Sequence, residues 1–378
     1  MVFTDEQQDF AASIRAFCAR ECGTRERRAA LTEGFTIANS HPLLERLGEL
    51  GWLGVSVPTE YGGAGAGMVE ECIFLEETCR GHAPIHGYST ALTAGQTYLR
   101  WGTPEQNREI MGGVCRGRLE AIGLSEPGAG SDLAGARCAA RREGDEYVVN
   151  GQKTWISVAH EADHVLTLVR TDASGAKHEG LTFLIVPTDA PGVEIREIEV
   201  MTPRVVNDVY LTDVRVPASA VVGAEGRAWS QLTRGLAIER LIIAAMAVGY
   251  AQRSLDDTIA YLREREQFGR PLSKFQALRH RVADVAAEIT ACRALVYDVA
   301  QKIDAGQEDA LSTESSIAKL KCTEAAKQAA LEGMQLMGGY GYAVEYGMEE
   351  QVRMALVPPI YGGTNEIQRE IISKNLGL

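Results

Sequence analysis

The spacing of apolar positions changes twice along the chain. Phe3, Phe10, Ile14 and Phe17 recur at intervals of seven, four and three, which is one helix face, and Asp5 after Thr4 supplies a start signal. Leu43, Leu44, Leu47 and Leu50 repeat that face up to Gly51, and a further helix runs from about Val69 to Cys79. Between them, Gly62-Gly63-Ala64-Gly65-Ala66-Gly67 breaks any helix. It lacks the G-x-G-x-x-G spacing and follows no strand, so it is not a dinucleotide loop. From about 119 to 225 the apolar runs become short and rich in β-branched and aromatic residues: 147–149, 154–156, 165–169, 181–186, 193–195 and 209–211. Glu143-Gly144-Asp145, Asn150-Gly151, Ser174-Gly175 and Pro191-Gly192 separate them, and Asn-Gly is a strong tight-turn signal. These runs predict a small antiparallel sheet. Beyond about 226 the helical period returns through Leu232, Leu236, Ile243, Met246 and Tyr250 to near Arg265, followed by helices at roughly 275–305 and 313–337 before Gly338-Gly339. Helices, then a sheet, then helices exclude an alternating βα fold and predict an α+β protein in three segments, 1–118, 119–225 and 226–378.

Composition narrows the partners. The 378 residues carry a net charge of −13, which opposes a nucleic-acid role, and the run Arg25-Glu26-Arg27-Arg28 is a solvated helix face interrupted by acid. No apolar run approaches the ~18 residues of a membrane span. The acidic start Thr4-Asp5-Glu6 is unlike a signal peptide, and the end Asn375-Leu376-Gly377-Leu378 is no peroxisomal address, so a cytoplasmic location is expected. The eight cysteines form no C-x-x-C pair and read as reduced packing residues, with Cys18 and Cys22 able to share a helix face. His160-Glu161-Ala162-Asp163-His164 matches the zinc motif H-E-x-x-H. It lies between strand-like runs, however, where residues four apart need not face one ion, so no metal is expected.

Two glycine-punctuated segments bear on chemistry. Leu124-Ser125-Glu126-Pro127-Gly128-Ala129-Gly130-Ser131-Asp132 leaves backbone N–H groups open to an anion or a flavin, although an ordinary turn has the same composition. Asn150-Gly151-Gln152-Lys153-Thr154-Trp155-Ile156-Ser157 follows, and Trp155 alone would equally suit a core. Together they resemble the flavin-binding signatures of the acyl-CoA dehydrogenases. Arg263 to Leu272 with Phe275-Gln276, then Gln335-Leu336-Met337-Gly338-Gly339-Tyr340-Gly341-Tyr342, then Ile360-Tyr361-Gly362-Gly363-Thr364-Asn365-Glu366-Ile367-Gln368-Arg369 resemble further elements of that family, in its order. The resemblance spans essentially the whole chain.

The resemblance implies N-terminal helices, a central antiparallel β domain, a C-terminal four-helix bundle, bound FAD and a homotetramer. It sets Ile122, Leu124 and Ser125 against the flavin ring, and Gly130 and Ser131 by the flavin phosphates, with Ser131 also near the substrate. Trp155, Ile156 and Ser157 contact the flavin, with the Ser157 hydroxyl near N5. Arg265, Phe268, Gln276, Gln335, Gly338 and Gly339 bind FAD, in the family the FAD of a neighbouring subunit; Thr364 and Glu366 reach the adenosine half of FAD. Leu124 and Ser125 replace the family's common valine and threonine; the serine keeps the hydroxyl.

The C-terminal segment departs from most of the family, which has a glutamate base where this chain has Gly362. A glycine cannot accept a proton, but its N–H remains to polarise a thioester carbonyl. Members resembling isovaleryl-CoA and long-chain acyl-CoA dehydrogenases also have glycine there and carry the base in a segment like L-x-x-E-R-L. Here Leu236-Ala237-Ile238-Glu239-Arg240-Leu241 matches, so the resemblance implies Glu239 as the base. Its apolar neighbours suit a poorly hydrated carboxylate, although a surface ion pair is the plainer reading of Glu-Arg. Arg240 is expected to organise the site or hold the pantetheine, Tyr361 and Gly362 to contact substrate, and the stretch Gly87 to Gln96 to line the acyl pocket.

The implied reaction is α,β-dehydrogenation of an acyl-CoA to the trans-2-enoyl thioester, with an electron-transfer flavoprotein as acceptor. Competing readings are a dehydrogenase of acyl groups on a carrier protein, a flavin monooxygenase or oxidase on the same fold, and a non-catalytic subunit completing a partner's FAD site.

Overall fold

The computed structural model describes residues 3–378. Helix α1 (Asp5–Cys22) begins at Thr4, whose hydroxyl accepts from the Gln7 N–H at 3.2 Å while the Gln7 side chain accepts from the Thr4 N–H at 3.1 Å. Its inward face holds Ala11, Ile14, Phe17, Cys18 and Cys22. The next helices are α2 (Arg25–Leu31), α3 (His41–Glu49), α4 (Met68–Arg80), α5 (His86–Trp101) and α6 (Pro104–Val114). Leu43, Leu44 and Leu47 are buried on α3, whereas Leu50 lies past its end and is exposed.

Eight strands form one sheet: β1 (Ala121–Gly123), β2 (Ala139–Glu143), β3 (Glu146–Ser157), β4 (His164–Arg170), β5 (Leu181–Pro187), β6 (Val193–Glu197), β7 (Val206–Pro217) and β8 (Val221–Val222). The order is β6-β7-β3-β2-β4-β5-β8, with β1 beside β4. The pairings are antiparallel except that β1 and β2 each meet β4 in parallel.

The Asn150-Gly151 turn expected from sequence is absent. The hairpin turn is Gly144-Asp145, with Gly144 at φ +63°, and the two apolar runs on either side of Asn150 form the single strand β3. At Asn150 the β3–β7 register shifts, and the Asn150 side chain exchanges hydrogen bonds with Asp213 of β7 at 3.0 and 2.9 Å. The same side chain that favours a turn also satisfies the loose backbone of a bulge.

Helices complete the chain: α7 (Ala228–Glu264), α8 (Gln276–Asp304), α9 (Ser312–Met337), the single turn α10 (Gly339–Tyr342), α11 (Met348–Leu356) and α12 (Asn365–Asn375). By contact the chain divides into two compact units. One comprises the N-terminal stretch through Ala30, Gly67–Ala83 and Ala237–Leu378; the other Leu31–Ala66 and Pro84–Leu236. In the first, α1 packs on α4, α4 on α8, and α9 on α8, α11 and α12. The Asp304 carboxylate, ending α8, accepts the Met68 and Val69 N–H groups at 2.6 and 3.1 Å and so caps α4. In the second, α5 packs on α6 and β1. Among the described residues no helix is long and apolar enough to cross a membrane.

Candidate active site

Glu239 lies on α7 one turn before Ile243, so the two side chains share a helix face. Gly362 sits in the loop between α11 and α12 with φ +61°, a conformation that favours glycine. A Cβ at position 362 would lie 3.5 Å from Glu239 Oε1 and 2.2 Å from Ile243 Cδ1. The Glu239 carboxylate therefore reaches the place where a side chain from position 362 would begin, while Ile243 fills that place. Burial is the largest influence on Glu239 and raises its pKa; the charges of Arg240 and Lys319 only partly offset it. Glu239 is half-buried, and its neighbours in sequence Leu241, Ile242 and Ile243 are 0, 1 and 4% exposed.

The loop presenting Gly362 is clamped from below. Lys319 of α9, fully buried, donates to the Gly363 carbonyl at 2.9 Å and to Asn365 Oδ1 at 3.0 Å. Gln368 of α12 donates to the Gly362 and Gly363 carbonyls at 3.1 and 2.9 Å. Thr364 caps α12, its hydroxyl accepting from the Ile367 N–H at 3.3 Å. Burial depresses the Lys319 pKa to about 8, and a neutral amine still has two N–H groups for its two acceptors. Lys319 and Gln368 escape sequence reading as site residues. The only signal is a lysine within the buried stripe Ser315, Ser316, Lys319, Cys322 and Thr323.

In the other unit, the Leu124–Ser131 loop is tied to β3 by a buried ion pair. Lys153 Nζ donates to Glu126 Oε1 at 2.8 Å and to the Leu124 carbonyl at 3.1 Å, and the two side chains are 0 and 9% exposed. Glu126 also accepts the Arg137 and Cys138 N–H groups at 2.7 and 2.8 Å. Burial alone would raise the Glu126 pKa, but Lys153 and the two N–H groups outweigh it and hold the carboxyl below its usual range. The Thr154 N–H donates to the Ser125 carbonyl at 3.0 Å. Just beyond, β3 gains one residue on β7 between Lys153 and Ile156, and Trp155 in that bulge takes φ +62°. A bulge re-aims a side chain, and Trp155 is turned outward, 60% exposed, with Ile156 buried and Ser157 partly open. Gly130 and Ser131 are exposed, and Ile122, Leu124 and Ser125 partly so. An outward indole beside serine hydroxyls fits a flat ring system with polar edges. Ile156 can offer only its backbone.

Arg265 holds its guanidinium 5.3 Å from the centre of the Tyr340 ring. Phe268 is 93% exposed at φ +54°, and Gln276, Gln335, Gly338, Gly339, Tyr361 and Glu366 are also exposed. Arg240 is instead buried; it reaches the Ser312 carbonyl at 3.5 Å and its Nε has no hydrogen-bond partner. Within 87–96 on α5, Gly87, Tyr88, Ala91, Leu92, Ala94 and Gly95 are buried, whereas Ser89, Thr90, Thr93 and Gln96 are partly open. His160 pairs with Glu161 at 3.0 Å and His164 with Glu120 at 3.3 Å, so the two imidazoles face different carboxylates.

Comparison with known proteins fits this arrangement. The acyl-CoA dehydrogenase family models match in series: the N-terminal domain at 4–118, the middle domain at 121–214 and the C-terminal domain at 226–377. The chain is 36% identical to the probable acyl-CoA dehydrogenase YngJ of Bacillus subtilis over 99% of its own length and 98% of the relative's. It is 31% identical to the mitochondrial isovaleryl-CoA dehydrogenase of Pongo abelii, covering 98% and 88% of the two chains. The crystal structure of an acyl-CoA dehydrogenase from Geobacillus kaustophilus superposes with a TM-score of 0.92 at 33% identity, covering 100% and 99%. The chain belongs to the acyl-CoA dehydrogenases, a flavoprotein family of oxidoreductases acting on CH–CH groups.

Proposed function

We propose that this chain dehydrogenates an acyl-CoA thioester to the trans-2-enoyl thioester with Glu239 as the α-proton base. The observation that carries the reading is the Glu239 carboxylate oxygen 3.5 Å from the Cβ position of residue 362, where a glutamate in most relatives begins. Glu239 accepts the α-proton, and the Gly362 N–H polarises the thioester carbonyl. The chemistry that bound FAD would supply is acceptance of the hydride from the β-carbon. Trp155, Ser125 and Ser157 would hold its ring, and Gly130 and Ser131 its phosphates. The exposure of Phe268, Gln276 and Gln335 supports their reaching a neighbouring copy's cofactor in a homotetramer. Arg240, buried with its Nε unpaired, organises the site or holds the pantetheine end of the substrate. The α5 stripe of Ser89, Thr93 and Gln96 lines the acyl pocket, and electrons pass to an electron-transfer flavoprotein.

The test is anaerobic: an acyl-CoA alone should bleach the flavin without NAD(P)H. A flavin that bleaches only with NAD(P)H would favour a monooxygenase and sink the reading. A second expectation concerns pH. Glu239 is a base only when ionised, and burial raises its pKa above the ordinary 4.5. The bleaching rate should therefore climb with pH through an inflection above the ordinary carboxylate range. Stopped-flow traces across pH 5 to 9 measure it, and a flat profile would contradict a buried base.

A further inference from the structure

We propose that Ile243 is a positioning residue for the base: its δ-methyl occupies the space left by Gly362 and holds the Glu239 carboxylate against the loop. The proposal rests on the reading of Glu239 as the base. Ile243 is 4% exposed and lies one helical turn from Glu239 on α7. A Cβ at position 362 would meet Ile243 Cδ1 at 2.2 Å, far inside contact distance, whereas Ile243 Cγ1 at 3.7 Å and Glu239 Oε1 at 3.5 Å are ordinary neighbours. One methyl group therefore blocks position 362. The position it fills is the one that the Glu239 carboxylate borders, and from there the methyl limits both the directions the carboxylate can take and the water that can reach it. Glycine at 362 and isoleucine at 243 are two halves of one arrangement. Moving the base back to position 362 requires changing both.

The geometry names the variant that tests it. Ile243→Val removes Cδ1, and with it the atom that bars a side chain at 362. Three readouts are compared: thermal unfolding, a carbon-13 titration of the Glu239 carboxyl, and anaerobic flavin reduction by an acyl-CoA. Gly362→Ala alone should unfold at lower temperature and reduce flavin more slowly, by up to about 100-fold, the scale of a ~1 Å misplacement. Adding Ile243→Val should recover most of both losses, leaving only the strain of a left-handed alanine. Ile243→Ala should shift the Glu239 titration and the inflection of the rate profile to lower pH as water reaches the carboxyl, and Ile243→Val should shift them less. The same substitution should restore Gly362→Glu, Glu239→Gln where that pair alone fails.

Additive losses in Gly362→Ala, Ile243→Val would overturn the proposal, because independent sites add. So would an unmoved titration in a folded Ile243→Ala. If Glu239→Gln reduces flavin normally, the base assignment itself falls and this proposal with it. If Glu239→Gln is inactive while the cycle is additive, only the role of Ile243 falls.

Discussion

Glu239→Gln is expected to keep its flavin and its fold and to lose at least about 100-fold in the rate of flavin reduction by an acyl-CoA. That is the low end for removing a general base, and position 362, where most of the family carries the base, is glycine. The amide keeps the shape and one polar oxygen, so the loss isolates proton acceptance from packing. The same substitution carries a stability expectation. A carboxyl whose folded pKa is raised contributes stability below its unfolded pKa and loses it as pH rises through the folded value; above that the ionised form opposes folding. The glutamine variant should therefore melt no lower than the parent at pH 8. Near-normal bleaching by a stable variant would remove Glu239 from the chemistry. A variant that melts early would show that the side chain is structural.

Lys153→Met is expected to be the most damaging change outside the base. It strips a fully buried ammonium from a carboxylate at 2.8 Å and from the Leu124 carbonyl at 3.1 Å, leaving Glu126 charged and largely enclosed. Breaking one side of such a pair costs about 3–5 kcal/mol, whereas replacing both partners by groups of similar shape costs much less. Lys153→Met should therefore lower the melting temperature sharply and release flavin, because the 124–131 loop loses its tie to β3. Adding Glu126→Gln should recover much of the stability. The sign with pH follows from Glu126: in the parent its depressed pKa keeps its contribution present down to the ordinary carboxylate range, whereas without Lys153 burial pushes that pKa up and the penalty of the bare carboxylate is lost as pH falls through the raised value. The deficit of Lys153→Met relative to the parent should then shrink at acid pH. Melting curves and flavin content at pH 4.5 and 7.5 test this, and an equal deficit at both would refute an electrostatic tie.

These two cases differ in how far the sequence could have anticipated them. The order of helices, sheet and helices was plain from the change of period, because burial of one face imposes 3.6 on a helix and 2 on a strand wherever it occurs. The pair Gly362 and Glu239 was legible through motif resemblance, being a matter of which residue types stand where. Tertiary structure alone decided the rest. Asn150-Gly151 has the composition of a turn, yet β7 supplies a partner, and Asp213 gives the asparagine hydrogen bonds that a turn would otherwise provide. Trp155 could have been core; the extra residue in β3 turns it outward. Arg240 could have been a solvated partner of Glu239; a helix periodicity cannot say which neighbour its far end meets, and the fold buries it. Lys153, Lys319 and Ile243 act through contacts 27, 44 and 119 residues away, with Glu126, Gly363 and Gly362 respectively. The sequence by itself determined which side chains exist and which faces must be buried, since both follow from local pattern and the cost of wetting apolar surface. Only the fold decided which charges lose their water and which atoms meet, because desolvation and contact belong to the packed chain and not to any segment of it.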